Sequence, residues 1–193
     1  MSLIALVITN AVVVGIALHL GMTLRALMLI YWMQSMVIGA CNVIRILSLH
    51  RFSTQGFSEG DQPLEETPLT RRKTAKFFVL HYGVFHLAYL LFLLVGGKGQ
   101  LGAPGAYALC ALAFVLNHLF SLRRNLAHDA AGRPNIGTLM FMPYLRVVPM
   151  HIMIVTGLGF GGSTASIVFF AILKTIADAA MHVVEHRVLR AGI

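Results

Sequence analysis

Charge is what this chain has least of. Asp, Glu, Lys and Arg make up 11% of its 193 residues, and only seven residues are acidic. Soluble domains carry about a quarter charged residues. With 58% hydrophobic residues and a mean hydropathy of +0.79, the shortage argues against a water-soluble globule and for a protein whose main solvent is lipid. Cysteine is scarce too. Cys41 and Cys110 both fall in apolar runs and form no C-x-x-C, which leaves no basis for a disulfide framework or thiolate metal site. There is no Gly-x-Ser-x-Gly elbow and no dinucleotide fingerprint. The glycine-rich stretch at 157–162 lacks the Lys-Ser/Thr ending of a phosphate loop. The N-terminal apolar stretch has no basic region ahead of it, so it reads as a retained helix rather than a cleaved signal.

What the chain does have is positive charge and long apolar runs. The formal net charge is +8. Because the basic residues mostly flank apolar segments, membrane topology explains them and no nucleic-acid partner is needed. A membrane helix takes roughly 20 largely apolar residues. Six segments meet that requirement, at about 2–19, 24–48, 76–97, 103–122, 138–158 and 163–186. The expected fold is therefore all-α, a polytopic bundle of six transmembrane helices forming a single domain over 1–193. The polar stretch 49–75 is its one substantial loop, with Pro, Gly and acids that suit neither lipid nor a packed core. If both termini are cytoplasmic, Arg51, Arg71, Arg72, Lys73, Lys76, Arg123, Arg124, Arg133, Arg187 and Arg190 lie inside, and Arg25 and Lys98 lie outside. That asymmetry predicts a multi-pass membrane protein with its loop 49–75 in the cytoplasm.

Depth follows from position, at about 1.5 Å per helical residue. His50, His81, His86, His118, His182 and His186 all fall toward the expected cytoplasmic side. Ionisable groups inside a membrane are costly and usually face a partner or a cavity. Asp178, His182 and His186 recur every fourth residue and so share one helix face. An i, i+4 histidine pair can present both rings to one transition metal. His81, or else His86 or His118, is the expected ligand from another helix. His81 and His86 stand about 140° apart around an ideal helix and share a centre only if that helix is distorted. Asp178 lies about 12 Å along the axis from His186, where it would serve a second ion, a bound water or the orientation of His182.

A deeper set accompanies them. Arg146 and His151 occupy the middle of the fifth segment, which Pro149 should bend. A guanidinium at that depth needs an anion. Asp178 is the one acid well inside a segment, so an Arg146–Asp178 ion pair is expected, serving either architecture or a substrate carboxylate or lipid phosphate. Tyr31 and Trp32 read as packing or interfacial residues, and the methionines as core filler.

Four patches then stand out together: "YWMQSMVIGACNVIRIL", "FFVLHYGVFH", "YLRVVPMHIMIVTGLG" and "KTIADAAMHVVEH". They resemble a family of bacterial integral membrane proteins of unknown function. The resemblance implies a Tyr-Trp helix with an acid two residues on, where this chain has Gln34, a His-Tyr-Gly helix, an Arg…His helix and a closing Asp-x3-His-x3-His helix. At the level of the site, the chain also resembles the superfamily of progestin/adiponectin-type receptors and alkaline ceramidases, which implies a cytoplasm-facing zinc.

The expected function is accordingly a metal site, zinc first and iron next, held by His81, His86, His182, His186 and Asp178. If catalytic, it would be a hydrolase or oxidase acting on a lipid-like substrate from the bilayer, with Asp178, Arg146 and His118 assisting. One alternative is a haem-binding electron-transfer protein with His81 or His86 facing His182. Another is a transporter or channel with Arg146, His151 and Asp178 along its path. A scaffold subunit or a homodimer is open as well, because hydrophobic helices pair readily.

Overall fold

The structure is a computed structural model describing Ala11, Gly15 and residues 18–96, 104–156 and 163–191. The first expected segment, 2–19, lies largely outside the described residues. Six helices follow: α1 (Leu24–Ser48), α2 (Pro68–Val95), α3 (Pro104–Ala131), α4 (Ile136–Phe141), α5 (Tyr144–Val155) and α6 (Thr164–Ala191). Between α1 and α2 lies a small antiparallel hairpin of β1 (Ser58–Glu59) and β2 (Gln62–Pro63).

Local chemistry sets the boundaries. Gly21, in the left-handed region at φ +60, makes the tight turn before α1. Thr23 then caps α1, its hydroxyl accepting from the Ala26 N–H at 3.2 Å. Thr67 caps α2 through the Thr70 N–H at 3.2 Å, with Pro68 at the first helical position. These signals start α2 eight residues before the expected 76. Helix α3 runs to Ala131, nine residues beyond the expected 122. Asn135 caps α4, its side-chain oxygen accepting from the Thr138 N–H at 2.9 Å. The expected fifth segment is interrupted at Met142–Pro143, whereas Pro149, the residue expected to bend it, lies within α5.

Among the described residues, four stretches are long and apolar enough to cross a membrane: α1, α2, α4 with α5 (Ile136–Val155), and Thr164–Met181 of α6. Helix α2 shows how a lipid surrounding would suit them. Thr70, Thr74, Phe78, Tyr82, His86, Tyr89 and Leu93 are buried, while Phe77, Leu80, Val84, Leu87, Leu91 and Leu94 form an outward stripe, each about half exposed or more. Leaving a large apolar side chain in water forgoes about 1.5–3 kcal/mol relative to burial. A bilayer removes that penalty along the whole stripe.

Helix α1 is the hub, packed against α2 and α3, while α5 pairs with α6 and α4 wedges against α1 and α2. Met28, Tyr31, Ile46, Phe78, Met150, Met153 and Phe170 belong to one core. The polar stretch after α1 is more ordered than its composition suggests. Leu49 and Phe52 are buried. Ser53 donates its N–H to Pro134 O at 2.9 Å and accepts from the Ile136 N–H at 3.0 Å, tying the loop to the α3–α4 connection. Gly60, at φ +63, takes the first central position of the hairpin turn.

Candidate functional site

Among the described residues, buried polar side chains gather in groups within the membrane-length helices. The first joins α1 to α2. The His86 ring is 2% exposed, and both its nitrogens are engaged. Nδ1–H donates to the Tyr82 carbonyl at 2.8 Å, the acceptor there being a carbonyl. Nε2 then accepts from the Ser35 hydroxyl at 3.0 Å. Tyr82 hydroxyl lies 2.7 Å from Ser35 Oγ and 3.0 Å from the Ser35 carbonyl. Trp32 Nε1 donates to His86 O at 2.8 Å. Gly39 makes room for this arrangement, since a Cβ there would sit 2.6 Å from the Tyr82 ring. Satisfied in this way, a neutral imidazole is held in place among apolar side chains.

The second group joins α5 to α6. Asp178 is buried, with Arg146 Nη1 at 3.2 Å from one carboxylate oxygen and Lys174 Nζ at 2.7 Å from the other. Arg146 Nε also points to Met181 Sδ at 3.1 Å. Lys174 Nζ stands 5.7 Å from the centre of the Tyr31 ring, and the Tyr31 hydroxyl donates to Arg146 O at 2.7 Å. Two cations thus converge on one carboxylate. Both cations keep about a fifth of their side-chain surface open. The expected Arg146–Asp178 pair is present; Lys174, one turn before Asp178, is the addition.

The remaining candidates disperse. His81 is exposed on α2 and meets the Tyr144 hydroxyl through Nδ1 at 2.8 Å. His86, five residues on, faces the core, so the two rings serve different neighbours. His151 is exposed on α5, with Nδ1 at 3.1 Å from the Tyr89 hydroxyl. His118 is half-buried on α3, whose main neighbour is α1, and it too makes a contact. His50 is exposed. The backbones of His182 and His186 belong to α6, but their side chains lie outside the described ones. Among the described residues no three His, Cys, Asp or Glu side chains come together as a metal site. The expected convergence of His81, His86 and Asp178 is therefore not seen. A shared depth did not make a shared direction.

The sequence reading missed Ser35, Lys174 and the Arg45–Asp129 pair. That last is bidentate, at 2.8 and 2.9 Å, near the loop-bearing ends of α1 and α3. The i, i+4 spacing of Lys174 and Asp178 was a legible signal. Ser35, two residues before the apolar "VIGA" run, carried none.

Four stretches long and apolar enough to cross a membrane, with charges paired inside them, define a helical protein of the membrane-spanning type. The chain belongs to DUF6498, a family of unknown function whose sequence pattern matches residues 1–191. No curated protein and no solved structure matches it.

Proposed function

We propose that this is a six-span protein of the bacterial inner membrane, both termini cytoplasmic, that binds and moves an anionic, lipid-like substrate through Arg146 and Lys174. One observation carries the reading: two cations share a single buried carboxylate between membrane-length helices. A buried acid with one cation is a closed pair, whereas a second cation on the same acid offers an entering anion two donors in a medium where charges are costly. A carboxylate or phosphate head exchanging for Asp178 would find two donors already placed. Basic residues at the loop-bearing end, among them Arg71, Arg72 and Arg133, support the orientation. The test is lipid and fatty-acid binding to detergent-purified protein by native mass spectrometry, with flux in liposomes. Arg146→Gln and Lys174→Gln should each weaken anionic ligands at least tenfold and leave zwitterionic ones unchanged. Equal binding by all three folded proteins would reject the site.

A second reading keeps a transition metal, zinc or iron, at His182 and His186. Its support is that Asp178, His182 and His186 lie on one unbroken helix, α6. With Asp178 engaged by Arg146 and Lys174, the histidine pair would need ligands from elsewhere, which makes this the weaker reading. A lipid hydrolase using Asp178, Arg146 and His118 depends on it. So does the haem alternative through His182, which is also disfavoured at His86 because both ring nitrogens are taken. Elemental analysis with a visible spectrum separates zinc, iron, haem and no metal. Unchanged metal content in the His182→Ala/His186→Ala double variant would reject these ligands.

A further inference from the structure

The break between α4 and α5 does more than interrupt a span. At Met142–Pro143 the helix stops and restarts, and the loop after α1 folds against the same side. Phe57 of that loop lies so close to Gly137 that a Cβ there would sit 3.2 Å from its ring. Between them runs an open groove of about 520 Å³, within the range of small-molecule sites.

Its lining changes along its length. At the loop end its polar wall is Gln55, Asn135 and Thr138, uncharged hydrogen-bonding side chains, with the Phe57 ring beside them. Further along it is made of Phe141, Leu145 and Val148, exposed by 58, 37 and 47%. Thr138 and Val148 lie on opposite sides of the Met142–Pro143 interruption. The apolar part belongs to the Ile136–Val155 stretch, which is long enough to cross a membrane. Arg146 is not in its wall, so this groove is separate from the charged cluster.

We infer that the groove holds the acyl chain of a membrane lipid, with an uncharged, hydrogen-bonding part of the headgroup region at Gln55, Asn135 and Thr138. The gradient carries the inference. An aqueous metabolite would leave Phe141, Leu145 and Val148 facing it without gain, and a headgroup charge would find no counter-charge in the wall. A lipid matches both ends, because one end of the groove lies beside an ordered polar loop and the other beside bilayer hydrocarbon. The interruption at Pro143 supplies the hollow that a straight helix would fill. The outer stripe of α2 is a row of exposed side chains on one helix face, so the groove should retain a lipid where that stripe exchanges it.

The experiment uses the full chain in nanodiscs with two single-chain lipid probes, one carrying a diazirine near the head and one at the chain end. Mass spectrometry locates the adducts. The head-proximal probe should label 53–57 or 135–138, and the chain-end probe 145–148. Val148→Trp, which fills the apolar half from an exposed position, should cut both labels at least fivefold. Leu87→Trp, on the outer stripe of α2, should leave them unchanged. Labelling spread evenly over α2 and α5, or labelling that survives Val148→Trp, would mean ordinary boundary lipid and overturn the inference. Disulfide-linked dimers of Val148→Cys replacing the lipid label would assign the groove to a second copy and overturn it as well. None of these outcomes depends on Arg146 or Lys174.

Discussion

Asp129 and Asp178 are both buried carboxylates facing an arginine, yet they are built differently. Asp129 takes both arms of Arg45 at 2.8 and 2.9 Å, one acid to one guanidinium. Asp178 is shared between Arg146 and Lys174, which contact different carboxylate oxygens. The first arrangement is closed: charge is balanced and the planar fork is matched. The second divides one carboxylate between two cations. From this difference we read Asp129 as architecture, fastening α1 to α3, and Asp178 as the centre of a site.

The comparison can be broken most directly at Asp129. Asp129→Ala should cost about 3–5 kcal/mol, because it strands a buried guanidinium. The Arg45→Met/Asp129→Leu double variant should recover most of that loss. Equilibrium unfolding in detergent micelles measures both. A small loss in the single variant would make the two carboxylates alike and remove the contrast.

The neutral network between α1 and α2 should rank next. Ser35→Ala leaves His86 Nε2 without its donor in a buried setting, at a cost of about 1–3 kcal/mol. Gly39→Ala should lose a similar amount, about 1–3 kcal/mol, by pushing on the Tyr82 ring. Both are read from the same unfolding curves. If Ser35→Ala impaired ligand binding more than stability, the network would belong with the site and not with the scaffold.

Lys174→Gln sharpens the contrast from the other side. It leaves Arg146 with Asp178, a one-to-one pair like that of Asp129, so stability should change by only about 1 kcal/mol or less. Anionic ligand affinity, by contrast, should fall at least tenfold. Loss of stability without loss of affinity would place Lys174 among the structural residues.

The smallest effect is expected at the surface. Glu66 accepts from Arg133 at 2.6 Å, tying the ordered loop to the α3–α4 connection, and this bond holds its carboxyl below the usual carboxylate range. A carboxyl lowered by folding stabilises fully above its ordinary value, and that contribution fades as pH falls through the lowered one. Proteolytic nicking of the loop 49–67 should therefore rise only as pH falls below the ordinary carboxylate range, and Glu66→Gln should show the raised nicking at every pH. Because the pair is exposed to water, the step should be shallow and should weaken further in salt.

Particular residues show how far sequence reading went. Leu24–Ser48 was legible to the residue, because a glycine turn, a capping threonine and a long apolar run coincide there. The Arg146–Asp178 pair was legible by elimination, since a deep guanidinium needs an anion and the segments offered one acid. Asp129 escaped because α3 was taken to end with its apolar run at 122. The helix instead continues to Ala131, held by tertiary contacts that hydropathy does not register. Pro149, expected to bend the segment, is carried within α5, and the chain breaks at Met142–Pro143, which sequence reading did not foresee. The histidines illustrate the remaining gap. Their depth could be counted, but His81 turned outward to Tyr144 and His86 inward to Ser35.

By itself the sequence determined that the chain is helical, that its helices are long enough for a membrane, and that charge inside them must be paired. Hydropathy and charge belong to each residue and add along the chain, so no neighbour is needed to read them. Tertiary structure alone decided which cations share Asp178, which histidine is buried, and where α4 and the loop leave a hollow. Those outcomes depend on how each helix is rotated and what packs beside it, and many rotations are compatible with the same run of apolar residues.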